Sequence, residues 1–359
     1  MKSTLIKTQL ILCLLMCTTL WPQALRIPDT VNLSNKVGRK LGVTQIEVNY
    51  NAPAVRGREG QIWGTSVVPF DFTTLGYGSD VPSPWRAGAD ESTTISFTTD
   101  VLINGENLPA GKYGFFIAVH ENSCTLIFNK NTKGWGSYFY NKDLDILRVS
   151  TKPQKDIKQS KERLEYLFTN QKDNSVVLAL EWEHWRIPFT ISVDLKKTVL
   201  ESIQQQLSGA LGFDPPSLQE GARWCLNNDV NYLQALNWIN SVISPSLGGQ
   251  NTFSALNIKS GLLEKLGKIN EAQEIRNTAL NIATILELHQ YGRELMSQNK
   301  KDEAFMIFKK NYKKFKGAWP TTVGMTRVYS AKKNFSKALE YAEQALAQAP
   351  DEASKNAVS

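Results

Sequence analysis

Val101-Leu102-Ile103-Asn104-Gly105, then Pro109-Ala110-Gly111, then Tyr113-Gly114-Phe115-Phe116-Ile117-Ala118-Val119: this stretch decides the class of the first half of the chain. Asn104-Gly105 is a hairpin dipeptide, because both residues tolerate positive φ. Pro109-Ala110-Gly111 is a second turn, and the aromatic and β-branched run Lys112 to Val119 reads as a strand. Glu121-Asn122 turns the chain again before Cys124 to Phe128. Runs this short, closed by turn residues, are strands and not helices.

The same pattern continues on both sides. Upstream, Thr44, Ile46, Val48 and Tyr50 alternate onto one face, and Thr93 to Phe97 repeats the alternation. Downstream come Ile146 to Ser150, Leu164 to Thr169, Val176 to Glu183 and Arg186 to Val193. Lys172-Asp173-Asn174 and His184-Trp185 are the turns between the last three. About nine short strands with no long helical pattern between them predict a β-sandwich over residues 34–193.

Beyond it the period changes to that of helices. Residues 194–216 read as a helical connector, with Leu195, Val199 and Ile203 apolar, ending at Asp214-Pro215-Pro216. Ser217 is the expected N-cap of the next helix. Over 217–350 alanines recur at 235, 272, 304 and 338, at intervals of 37, 32 and 34 residues. Each follows a polar turn: Asn228-Asp229, Gly267-Lys268, Asn299-Lys300 and Lys333-Asn334. Phe335, Ala338, Ala342, Ala345 and Pro350 fall at tetratricopeptide spacing, so four degenerate units of that family are expected, which is enough for a continuous core. Such arrays bind a protein or peptide; the plainer alternative is a spacer. Residues 351–359 are expected to be a tail.

The N-terminus has the form of a secretory signal, with Lys2 and Lys7 before the apolar run Leu10 to Leu20 and a cleavage site after Ala24. The expectation is a protein exported to the periplasm or beyond, with 1–24 removed. The formal charge then falls from +7 to +5, a mild excess that names no partner. Two cysteines remain, Cys124 and Cys225, in different halves, so no disulfide is expected between them. With His120, His184 and His289 they show no ligand spacing, and neither metal nor cofactor is expected. Lys309, Lys310, Lys313, Lys314 and Lys316 surround Tyr312 and Phe315 and read as a solvated helix face, with contact to an anionic membrane surface as the sharper alternative. Nucleic acid is not an expected partner.

The loops of the β half carry the candidate site. Arg56-Gly57-Arg58 precedes Trp63; Trp85-Arg86-Ala87-Gly88-Ala89-Asp90-Glu91 precedes a strand; Asn129-Lys130-Asn131 leads to Gly134-Trp135-Gly136; Glu181-Trp182-Glu183 leads to Trp185-Arg186. Arg58, Trp63, Trp85, Arg86, Glu91, Asn129, Trp135, Glu181 and Arg186 are therefore the candidate ligand-binding residues. Arginines hold carboxylate or phosphate bidentately and tryptophans stack on rings. Structural ion pairs such as Arg86 with Glu91 or Glu181 are the competing reading, and Trp182, inside a strand, reads as core. No Gly-x-Ser-x-Gly elbow, His-Glu-x-x-His pair, phosphate loop or dinucleotide fingerprint occurs, so binding is favoured over catalysis. The alternative is a cell-envelope hydrolase with its cleft at Trp85-Arg86 to Glu91.

These motifs, with Leu108-Pro109-Ala110-Gly111, Tyr113, Ile127-Phe128 and Leu180-Glu181-Trp182 in the same order, resemble a bacterial family known as domain of unknown function 2911. The resemblance covers roughly Ser34 to Val193 and implies an exported β-domain of the kind found in Bacteroidetes. It implies no activity. The chain departs from the family at Phe70 to Ser83, where a longer Gly/Ser/Pro-containing segment replaces a short turn.

Overall fold

The computed structural model describes residues 31–247 and 249–356; the expected signal segment, 1–24, lies outside them. The chain divides into two compact units with the boundary after Thr198. The first is all-β, the second all-α.

Among the described residues the β unit has eleven strands. They are β1 (Leu33–Leu41), β2 (Thr44–Ala52), β3 (Thr94–Phe97), β4 (Val101–Ile103), β5 (Glu106–Leu108), β6 (Gly111–Val119), β7 (Cys124–Asn129), β8 (Asp145–Thr151), β9 (Lys161–Thr169), β10 (Ser175–Glu183) and β11 (Trp185–Ser192). They form a six-stranded sheet, β1-β2-β3-β6-β7-β8, and a five-stranded sheet, β5-β4-β11-β10-β9, antiparallel throughout. The inward residues of both sheets share one core, in which Val48, Phe115, Phe128, Leu178, Trp182 and Ile191 are almost completely buried. The sandwich was expected; two of its strands were not. β1 is a polar edge strand whose last residue alone, Leu41, is buried, so it shows no apolar alternation. β5 is the three-residue return arm of the Asn104-Gly105 hairpin, whose two residues have φ of 48° and 95°.

β6 is buried on both faces. Phe115 and Ile117 point into the sandwich, while Phe116 and Ala118 form a small second cluster with Ile127 and Tyr140, against which Phe72 packs. The segment Phe70 to Ser83 thus brings Phe72 onto the outer face of that sheet.

The second unit begins within α1 (Leu195–Leu207). It continues as four antiparallel pairs: α2 (Pro215–Asn228) with α3 (Tyr232–Ile243), α4 (Phe253–Lys265) with α5 (Ile269–Ile282), α6 (Ile285–Ser297) with α7 (Lys301–Lys314), and α8 (Trp319–Ala331) with α9 (Phe335–Gln348). A short α10 (Glu352–Asn356) follows. The four repeating alanines sit in the second helix of each pair and are all buried. Glycines in the first helices complete the close approach: a Cβ on Gly292 or Gly324 would run into the Phe308 ring. This is a tetratricopeptide-like array. One terminus differs from expectation. Asp214, not Ser217, caps α2, and Pro215 and Pro216 occupy its first positions, where a missing N–H costs nothing. Asp214 accepts from Ser217 N at 3.0 Å.

Candidate functional site

The chain between β2 and β3, residues 53–93, crosses the end of the sandwich in loops, and the loop between β7 and β8 joins it there. Together with the end of β10 they enclose a cleft of about 440 Å³. That lies within the size range of small-molecule sites. Its lining includes Arg56, Arg58, Asp71, Trp85, Arg86, Tyr138 and Trp182.

Each arginine is positioned by backbone. Arg58 donates from Nε to Val55 O at 2.9 Å and from Nη2 to Ala54 O at 2.8 Å. Its loop is pinned to the sheet, since Val55 N bonds Glu162 O at 2.7 Å and Gly60 N donates to the buried Glu183 carboxylate. Arg56 donates from Nη2 to Val31 O at 3.2 Å.

Arg86 sits in a loop built by its own motif. Ala87 and Asp90 are left-handed, with φ of 52° and 54°. The Ala87 carbonyl accepts from Thr93 Oγ1 at 3.0 Å and from Tyr166 Oη at 2.8 Å. Gly88 admits no side chain, because a Cβ there would stand 2.7 Å from Thr93 Oγ1. Arg86 Nη1 donates to Asp90 O at 2.7 Å, and the guanidinium lies 5.2 Å over the Tyr138 ring. Its other neighbour is Gly136, at φ 58°, where any Cβ would overlap the guanidinium. The Gly134-Trp135-Gly136 loop is held in turn by the buried Ser92, whose hydroxyl donates to Gly134 O and Gly136 O.

The tryptophans make the floor. Trp85 and Trp182 stack at 6.3 Å and 12°, and Trp63 meets both edge-on while stacking on Trp185 at 4.6 Å. Such aromatic pairs add about 0.5–1.5 kcal/mol each beyond area burial. The indole N–H groups of Trp63 and Trp182 are buried without a hydrogen-bond partner.

Of the candidate residues read from sequence, Arg58, Trp85 and Arg86 line this cleft. Trp63 stands behind its floor. Glu91 is exposed and accepts from Asn51 Nδ2 at 2.6 Å. Asn129 is buried and structural: its Nδ2 donates to Asn141 O and Asp145 Oδ1, and its Oδ1 accepts from Asn131 N. Trp135 is 52% exposed and outside the lining. Glu181 and Arg186 face each other across the β10–β11 hairpin and form an ion pair of 2.7 Å, with Thr169 Oγ1 accepting from Arg186 at 2.8 Å. Their side chains lie on the face opposite Trp182, because neighbours on a strand alternate. Sequence reasoning passed over Arg56, Asp71 and Tyr138, and assigned Trp182 to the core alone; only the Arg56-Gly57-Arg58 pairing offered a signal.

Other chemistry-bearing side chains are engaged elsewhere. Cys124 and Cys225 are free and buried, and burial pushes their thiols up to about 12 and about 11. His184 Nδ1 lies 3.0 Å from Ile157 O, and His289 Nδ1 lies 2.7 Å from Pro320 O. Among the described residues no group of three or more His, Cys, Asp and Glu is placed to hold a metal ion, and no helix is long and apolar enough to cross a membrane.

Residues 33–191 match the family described as protein of unknown function DUF2911. The β unit is a domain of that family. No curated protein matches the chain. Solved structures with distant similarity include the following two. One is titled as the crystal structure of MamA, at 14% identity and a TM-score of 0.26, covering 42% of this chain and 85% of that one. The other is YrrB, described as a TPR protein with an unusual peptide-binding site, at 17% identity and a TM-score of 0.26, covering 45% and 81%. The helix pairing and the buried alanines, not these distant likenesses, define the repeats of the second unit.

Proposed function

We infer that the protein is an exported, two-module binding protein: the β-domain takes a small ligand in the cleft floored by Trp85 and Trp182, and the repeat array holds a protein or peptide. The observation that carries the reading is the convergence of Arg56, Arg58 and Arg86 on one aromatic-floored cleft. Export rests on the Lys2 to Ala24 sequence. For the array, the first helices α2, α4 and α6 together line a groove of about 340 Å³ containing Arg223, Asn257, Gln290, Tyr291 and Glu294. Polar side chains of both signs beside an aromatic ring suit an extended peptide, whose backbone needs donors and acceptors.

A hydrolase using Arg86, Glu91 and Glu181 finds less support. Neither Glu91 nor Glu181 lines the cleft, and Glu181 is committed to Arg186. Asp71 is the carboxylate of the lining among the described residues.

A thermal-shift screen of the wild type and Arg86→Ala against sugars, peptidoglycan fragments, nucleotides and carboxylic acids tests the reading. A ligand at a hundred times its dissociation constant adds about 2.7 kcal/mol to apparent stability. A shift in the wild type that disappears in a folded Arg86→Ala is the expected result. A shift of equal size in both proteins would remove the cleft as the ligand site.

A further inference from the structure

The cleft has a charge imbalance that specifies its ligand. Among the described residues, the guanidinium groups of Arg56, Arg58 and Arg86 make their assigned hydrogen bonds to backbone carbonyls, of Val31, Val55, Ala54 and Asp90, and none forms a salt bridge to a carboxylate; the one carboxylate contact, Glu162 Oε1, is to the Arg56 backbone N. Asp71 alone among the lining residues carries negative charge. Three guanidinium charges therefore face one carboxylate. Elsewhere in the same domain Arg148 and Arg186 each pair with an acid, Asp145 and Glu181.

The carbonyl contacts do not use up the donors. A guanidinium has five N–H groups in a planar fork. Arg86 spends Nη1 on Asp90 O, which leaves its Nε and Nη2 edge, the pair of donors that matches two oxygens of one carboxylate or phosphate. Arg58 spends Nε and Nη2, which leaves Nη1. Both guanidinium planes are fixed before any ligand arrives, Arg86 by Tyr138 and by the bare Cα of Gly136. Preorganised donors of this kind lose little entropy on binding. Trp182 contributes to the wall as a ring, being 1% exposed, and its indole N–H is buried without an acceptor.

We propose that the cleft binds a small molecule carrying an oxyanion, phosphate or carboxylate, on an apolar or planar ring. The oxyanion lies against the free edge of Arg86 with Arg58 and Arg56 supplying the remaining charge, and the ring rests on Trp85 and Trp182. This deepens the small-ligand reading above and rests on it. A neutral sugar would cover the half-buried Arg58 and Arg86 without compensating their charge, which is why the charge, and not only the aromatic floor, decides the ligand class.

Calorimetric titration with benzyl phosphate, phenylacetate, inorganic phosphate and the neutral benzyl alcohol tests it. The protein should bind benzyl phosphate or phenylacetate at least about tenfold more tightly than benzyl alcohol, with affinity falling as salt is added. The tighter of the two anions distinguishes phosphate from carboxylate as the source. Arg86→Gln should weaken the anion at least about tenfold and leave benzyl alcohol unchanged. Arg86 is packed into its loop, so the exposed Arg56→Gln gives a second reading that does not depend on the fold of that loop; it should weaken the anion too. Equal affinity for benzyl alcohol and the anions would overturn the oxyanion proposal while leaving a ligand site in place. Binding of inorganic phosphate alone, unaffected by either substitution, would overturn it as well. No heat from any of the four would overturn the oxyanion proposal, and the wider compound screen would then decide whether the cleft binds anything.

Discussion

Gly136 shows how a single residue ties the β-domain's signature to its cleft. Its backbone is left-handed and its Cα is the surface on which the Arg86 guanidinium lies. Gly136→Ala should therefore destabilise the domain by about 1–3 kcal/mol and weaken ligand binding by displacing Arg86, both measurable on one protein by denaturant titration and calorimetry. Arg58 and Arg86 could be placed together from sequence because both sit in loops beside tryptophans, though structural ion pairing competed with ligand binding there; in the structure both line the cleft. Glu181 and Arg186 were misleading, since they lie beside Trp182 and Trp185 in sequence but on the opposite face of the hairpin. Strand parity alone would have separated them. The two cysteines yield a second prediction. Burial raises both thiols, so neither Cys124 nor Cys225 should react with a disulfide reagent such as dithionitrobenzoate in the native state at neutral pH, and both should react once the protein is denatured. Rapid native labelling of either would contradict its burial.

Among the elements, the helix pairs were readable from the spacing of four alanines, because only a small residue lets two helices approach this closely. Less readable were the partners that fill the space. Phe308, fully buried, is wedged between Gly292 of α6 and Gly324 of α8. Phe308→Ala should cost about 3–5 kcal/mol and Gly324→Ala about 1–3 kcal/mol, read from urea unfolding followed by helical circular dichroism. The basic run of α7 fits its solvated-face reading, with one addition that periodicity does not show. Lys314 reaches the carbonyls of Asn281 and Ala283, at 2.5 and 2.7 Å, and so closes the C-terminal end of α5, where a cation is favoured. The array also contains a titrating element. His289 of α6 is held below its ordinary value of 6.5, by burial first, with Arg327 and Arg293 adding repulsion and the Pro320 carbonyl opposing. A group with a depressed folded value binds its proton more readily in the unfolded chain. Its contribution to stability is thus complete above the unfolded value and is lost as pH falls below it. The helical transition should weaken as pH falls below about 6.5, with a smaller slope in His289→Gln. An unchanged slope would assign the pH dependence to other groups.

For the whole molecule, the division into a sandwich and an array followed from the change of apolar period near residue 194, from two to that of a helix. The hydrophobic clusters respect the same division, each lying within one unit. What the sequence did not disclose was the cleft, because its walls come from residues more than a hundred positions apart, from Arg56 to Trp182. Separate cores also predict separable consequences. Phe308→Ala should lower the melting of the helical signal while the affinity of the β-domain for benzyl phosphate stays within error of the wild type.

The most direct test of the account is the indole N–H spectrum of nitrogen-15 labelled protein during titration with benzyl phosphate, with the Trp182 signal assigned by Trp182→Phe. This resonance should move progressively as the ligand changes the surroundings of the Trp182 ring, and the exposed Trp135 resonance should stay in place. A Trp182 signal that does not move while the protein binds the anion would place the ligand elsewhere and contradict the cleft as the binding site.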